Sequence, residues 1–144
     1  MAKPFKADAG FVPCLVNDGD ELFPNGIFEF NITRVLEHIE RNPTDFALVE
    51  IEVNDLDQGY SSLDESHIES ADTSRPVVLA EISPEHFSLI DGHHRVEKAR
   101  RSGVDRIRAY KLTASQHLRF LTSKRAYQSY IEYWNGKVKQ FRRA

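Results

Sequence analysis

Five consecutive residues, Asp91-Gly92-His93-His94-Arg95, gather a carboxylate, a glycine, two imidazoles and a guanidinium at one point of the chain. Their neighbours say how they are held. Positions 87–90, Phe-Ser-Leu-Ile, form a short apolar run expected to be a strand, and positions 96–101 a helix without Gly or Pro. Asp-Gly supplies the tight turn between them, because glycine accepts backbone angles that other residues resist. A strand, turn and helix in this order aim the free N–H groups of the first helical turn at one spot. That spot favours an anion, most often a phosphate. Gly92, His93, His94 and Arg95 are therefore the candidate phosphate- or nucleotide-binding residues, and Arg95 matches phosphate oxygens in a two-pronged geometry.

Asp91 admits two roles. It can cap the helix that follows, or it can act as a functional carboxylate that holds magnesium against bound phosphates or orients an arginine. Arg95 has an alternative too, pairing with Glu97 or with an acidic loop residue. His93 and His94, with His67, His86 and His117 elsewhere in the chain, raise the question of zinc, which neutral imidazoles and a carboxylate bind well. The cation in the same turn works against that, and no protein-held metal site is assigned. A nucleoside di- or triphosphate with Mg2+ is the expected cofactor. Charge-assisted hydrogen bonds contribute roughly 1.5–3 kcal/mol each and the helix terminus up to about 1. Two or three such contacts, less ordering losses, give affinities from about millimolar to tens of micromolar.

The elements that must position this turn are legible in part. The alternation over 49–53 predicts a strand with one wet face, and 77–82 and 107–112 are further strands. Asn31 is placed to cap a helix with Ile32, Val35, Leu36 and Ile39 on one face, stopped near Asn42-Pro43. Ahead of it, apolar pieces at 11–16 and 27–30 alternate with turn signals at Asn17-Asp18-Gly19 and Pro24-Asn25-Gly26, which predicts a hairpin-like segment packed on the core. Residues 57–75 are acidic and turn-rich, with helix signals only at 63–68; this is expected to be a binding loop or a mobile one. From 114 to 141 the chain reads as one or two helices, weakened or bent at Gly136, with Tyr127, Tyr130, Ile131, Trp134, Val138 and Phe141 in one stripe. That stripe either closes the core or forms a dimerisation face or a lid. Lys137, Lys139, Arg142 and Arg143 make a short basic end, expected to be solvated.

The block Leu89-Ile90-Asp91-Gly92-His93-His94-Arg95, the helix after it, Gly103 and the strand 107–112 together resemble the core of the ParB/sulfiredoxin superfamily. The resemblance spans roughly 49–112. It takes in the strand that begins at Ile51, the segment from Leu63 to Ile68, and Arg75-Pro76-Val77-Val78-Leu79 as the strand before the motif. It implies a ParB/sulfiredoxin-like α+β fold, a small mixed sheet with helices packed on it, that binds nucleotide phosphates at the Gly-x-His-Arg turn. Family members hydrolyse CTP, use ATP, or phosphorylate free serine. The kinases among them use a carboxylate from about the acidic segment, so Asp57 and Glu65 join Asp91 as candidate catalytic residues; alternatively these acids merely solvate a loop. Two departures narrow the reading. Sulfiredoxins place a catalytic cysteine where this chain has His93, and the single cysteine, Cys14, is remote in sequence. Partition proteins carry an arginine-rich box and a helix-turn-helix after the core, and neither is found in residues 113–144.

The bulk properties agree with a single domain over 1–144, with its core at 47–112, an N-terminal extension at 1–46 and C-terminal helices at 113–144. With 40% hydrophobic and 28% charged residues the composition is that of an ordinary globular protein. A net charge of −3 gives no global pull toward nucleic acid or anionic membrane. No apolar run approaches the roughly 18 residues that span a bilayer, and residues 1–6 lack the apolar region of a secretion signal. The expectation is a cytoplasmic protein whose partner is a nucleotide or phosphorylated small molecule. DNA is the alternative partner, as in a ParB-like nuclease or plasmid accessory. A homodimer through the C-terminal helix, or a purely protein-binding module, is the third reading.

Overall fold

The computed structural model describes residues 2–25, 28–56 and 63–143. In chain order the elements are β1 (Leu22–Asn25), β2 (Phe28–Asn31), α1 (Ile32–Arg41), β3 (Ala47–Glu52), α2 (Glu65–Ser70), β4 (Val77–Ser83), β5 (His86–Asp91), α3 (His93–Arg101), β6 (Arg106–Leu112), α4 (Ala114–His117) and α5 (Lys124–Arg143). The class is α+β, as expected. The main sheet is mixed, with strand order β3-β6-β4-β5; β4 runs parallel to β6, and the other neighbours are antiparallel. β1 and β2 form a separate antiparallel ribbon in which Phe23 faces Phe30.

β4 explains the layering. As a central strand covered on both faces it is apolar from Val77 to Ala80, and its residues are divided by the strand's period of two. Val78, Ala80 and Ile82 face a core built with α1, β2 and α5. Val77 and Leu79 face a smaller one with Val96 and Ala99 of α3 and Val53. The motif helix thus packs on one face of the sheet, while the aromatic C-terminal helix packs on the other.

Several sequence expectations hold and some need correction. Asn31 caps α1: its Oδ1 accepts from Arg34 N at 3.1 Å, and its Nδ2 donates to Leu15 O and Asp20 Oδ2. The N-terminal hairpin exists, but its strands are 22–25 and 28–31. Residues 11–16 instead run as an irregular arm with Val12 and Leu15 exposed. The physical reason is that its backbone groups are bonded singly to other segments, Cys14 N to Leu121 O and Leu15 O to Asn31 Nδ2, instead of to a partner strand. Pro24 and Asn25, expected in a turn, close β1 opposite Glu29 and Phe28; Gly26 and Ile27 lie outside the described residues. Gly136 does not bend α5, which runs unbroken from Lys124 to Arg143.

The aromatic stripe is core. Tyr127, Tyr130, Ile131, Trp134 and Val138 are all buried, and only Phe141 is half exposed. The N-terminal arm covers what the sheet leaves open: Phe11 stacks on Tyr127 at 4.0 Å, Phe5 packs against Trp134, and Trp134 Nε1 donates to Lys3 O at 2.9 Å. Five of the six stripe residues are therefore spent within the chain, and Phe141 stays half exposed. No helix of the described residues is long and apolar enough to cross a membrane.

Candidate functional site

β5 ends at Asp91 and α3 begins at His93, so the whole reversal falls on Gly92, at φ +105° and ψ 21°. Only glycine sits there without strain. A second constraint is independent of the angle: a Cβ on residue 92 would lie 2.4 Å from Val77 Cγ1. Glycine lets the turn press against β4. The first α-helical bond is Val96 N to Gly92 O at 3.0 Å. Gly92 offers no capping side chain, so among the described residues the N–H groups of His94 and Arg95 have no acceptor. His94 and Arg95 both line a cleft of about 470 Å³.

Arg95 is turned inward. Its Nη1 donates to Pro76 O at 2.6 Å and its Nη2 to Asp91 Oδ2 at 2.9 Å, with both side chains nearly buried. Of the two roles open to Asp91, the geometry realises the orienting one; the cap position belongs to Gly92. The Asp91–Arg95 pair staples the end of β5 and the first turn of α3 to the residue that leads into β4. By fixing the Pro76 carbonyl it also fixes the neighbouring residue, Arg75. Arg75 lines the cleft, exposed, near Asp72, whose carboxyl it helps to hold below the usual range after the bonds from Ser74. Sequence reasoning missed Arg75 because it is remote in sequence from the motif, although a cation directly before the strand that packs on Gly92 was the signal available.

The histidines divide. The His93 ring stacks on Phe23 at 4.9 Å. His94 Nε2 accepts from Asp64 N at 3.3 Å, which places a proton on Nδ1 in the neutral ring, and its edge meets His67 at 5.4 Å. His67, His93 and His94 all line the cleft. His86 is instead stacked on Phe141, and His117 is fully buried against Glu81 O. Among the described residues no three His, Cys, Asp or Glu side chains converge in a way that could hold a metal ion.

α2 forms one wall of the cleft. Asp64 caps it by accepting from Ser66 N, and those bonds hold the Asp64 carboxyl below the usual range. Lys98 Nζ closes its other end on Glu69 O and Ala71 O at 2.6 and 2.8 Å. Glu65 is not brought to the motif. It forms a two-pronged pair with Arg101 at 2.6 and 3.1 Å outside the cleft, which pulls its carboxyl down. Asp57 lies outside the described residues.

The opposite wall comes from the N-terminal ribbon, which the sequence gave no reason to place there. Phe23 and Glu21 line the cleft. Burial pushes the Glu21 carboxyl up, and Asp91 adds to the effect, partly offset by Arg95 and His94. The cleft thus combines the first turn of α3, the exposed Arg75 beside Asp72, and the exposed Glu21 around a floor stapled by Asp91 and Arg95. No protein-family model matches the chain, and no curated protein and no solved structure matches it either, so the cleft must be read from its own geometry.

Proposed function

We propose that the cleft at Gly92–Arg95 binds the phosphate group of a nucleotide or phosphorylated small molecule. The observation that carries this reading is the first turn of α3, without a capping side chain, beside a cleft that the exposed Arg75 also lines. The amides of His94 and Arg95 and the Arg75 side chain are the donors, and Gly92 permits their approach. His93 and His94 are walls rather than primary ligands, and Arg95 holds the floor. The ParB/sulfiredoxin resemblance assigns phosphate binding to the same turn, which supports the reading. A cleft of about 470 Å³ suits a small ligand. Mg2+ would arrive with the phosphates, since magnesium is usually held by one or two carboxylates plus substrate oxygens. A nucleic-acid backbone is the poorer ligand, because Glu21 and Asp91 set negative charge in the same cleft as a polyanion.

The test is a thermal-shift series with ATP, ADP, CTP, GTP and inorganic phosphate, with and without magnesium. A ligand that binds only the folded state raises the midpoint. At least one nucleotide is expected to do so, and Arg75→Ala is expected to remove the shift while leaving the unliganded midpoint in place. Equal shifts in the wild type and in Arg75→Ala would overturn the assignment.

A further inference from the structure

The two side walls of the cleft are held in different ways. The ribbon wall is bonded into the body: Glu21 N donates to Thr33 Oγ1 at 2.8 Å, and Glu21 O accepts from Ile32 N at 2.8 Å. The α2 wall supplies Leu63, His67, Ser70, Ala71 and Asp72 to the cleft, and between Leu63 and Arg75 only Ile68 is buried. Its ties are polar and come from one face of α3, where positions 94, 98 and 101 line up at helical spacing. His94 Nε2 accepts from Asp64 N at 3.3 Å, Lys98 Nζ donates to Glu69 O and Ala71 O, and Arg101 makes a two-pronged pair with Glu65. Beyond α2 the chain is fixed again. Arg108 Nη2 donates to Ser74 O at 2.7 Å, and Arg95 Nη1 to Pro76 O at 2.6 Å.

Resting on the phosphate reading above, we infer that α2 is a hinged wall that swings away from α3 as a unit and lets the ligand into and out of the cleft. A segment with one buried apolar side chain opens at a lower free energy than the packed sheet beside it. Polar ties at an exposed surface hold it weakly, since water competes for each and salt screens the charged ones. The hinge falls at Ala71, where the helix gives way to extended backbone just ahead of the turn that Asp72 makes with Ser74. With α2 swung out, the cleft loses one side, while the Asp91–Arg95 floor and the first turn of α3 stay in place. Lys98 and Arg101 lie outside the cleft lining, so they act on ligand traffic through α2 and not by touching the ligand.

The experiment is NMR on the full chain, wild type against Lys98→Met/Arg101→Met, with inorganic phosphate and AMP as probes. Amide hydrogen exchange reads the opening at Ile68 and Ala71, whose N–H groups are bonded to Asp64 O and Ile68 O. The double variant is expected to speed both amides by one common factor, about tenfold for the loss of these surface ties, while the β4 amides keep their rates. Lys98→Met alone, the milder change, is expected to act in the same direction by a smaller factor. Relaxation dispersion reads ligand exchange. An opening that is rare in both the free and the bound protein changes traffic in both directions, so association and dissociation should quicken together with Kd held within about twofold. Amides of Ile68 and Ala71 that exchange no faster than those of β4, or that respond to the variants by different factors, would overturn the hinged wall. So would unchanged ligand exchange rates in the double variant, and phosphate binding would then stand without it. If wild type binds neither probe, the phosphate reading fails and this inference fails with it.

Discussion

Two regions of the molecule are rich in polar and aromatic side chains, and they treat their polar atoms in opposite ways. On the α5 face, almost every group is answered. Tyr130 OH and His117 Nε2 both bond Glu81 O, at 2.7 and 2.6 Å. Asn135 exchanges two bonds with the Phe5 backbone, and Tyr127 OH accepts from Asp8 N. At the α3 cleft the staple of Asp91, Arg95 and Pro76 is answered in the same manner, yet the exposed Arg75 and Glu21 and the first turn of α3 line a cavity. Satisfied polar atoms under apolar cover are what a core requires. Open ones arranged around a cavity mark the place where a ligand completes the set.

The sharpest way to break this comparison is to remove the anchor of the answered face. Trp134→Ala is expected to cost about 3–5 kcal/mol, the range for truncating a buried aromatic, read by urea denaturation. A cost below about 1 kcal/mol would mean that the N-terminal arm does not hold the helix down. Gly92→Ala strikes the cleft where it touches the core. Left-handed backbone costs roughly 1–2 kcal/mol and overpacking against Val77 about 1–3, so a loss of about 2–5 kcal/mol is expected. Asp91→Ala leaves the Arg95 guanidinium nearly buried without its anion and should cost about 3 kcal/mol. A neutral result there would reduce the staple to an ordinary surface pair.

Acid gives a test confined to the answered face. Burial of the enclosed ring drives His117 down to about 4 from the ordinary 6.5, against the smaller opposing effect of its bond to Glu81 O. Between those values the unfolded chain binds the proton and the folded one does not. Stability is therefore full above about pH 6.5 and falls as pH drops toward about 4, by about 3 kcal/mol in all. Unfolding curves at stepped pH should show this slope, and His117→Gln should flatten it. Smallest of all is the stability effect of Arg75→Ala, within about 0.5 kcal/mol for an exposed side chain. Its effect belongs to ligand binding instead, and a larger loss of stability would show that Arg75 is structural after all.

Local signals predicted local things well. The alternation around Ile51, the cap at Asn31 and the Asp91-Gly92 turn were all legible, because each depends on neighbours within a few residues. The hairpin was half legible: β2 was marked by Phe28 and Phe30, whereas β1, with Leu22 and Phe23 followed by Pro24 and Asn25, resembled a turn. The site was less legible than the fold. Arg95 looked like the ligand-facing cation because it stands in the first turn of α3, but which way a long side chain points depends on whether a buried acceptor is nearer than the solvent. Pro76 O and Asp91 decided it. Glu65 looked available because it sits in an acidic stretch, and Arg101, far along the chain, claims it.

By itself the sequence determined the α+β class, the strand, turn and helix around Gly92, and the apolar stripe of the last helix, since these follow from periodicity and from the angles glycine allows. Only the tertiary structure decided which charges are spent and which are open. It turned Arg95 into the floor, brought Arg75 to the rim from the residue before Pro76, and carried Glu21 and Phe23 across from the N-terminal ribbon to form the facing wall. The reason is that commitment of a charged side chain is settled by distances between segments, and those distances exist only once the sheet and its two faces have packed.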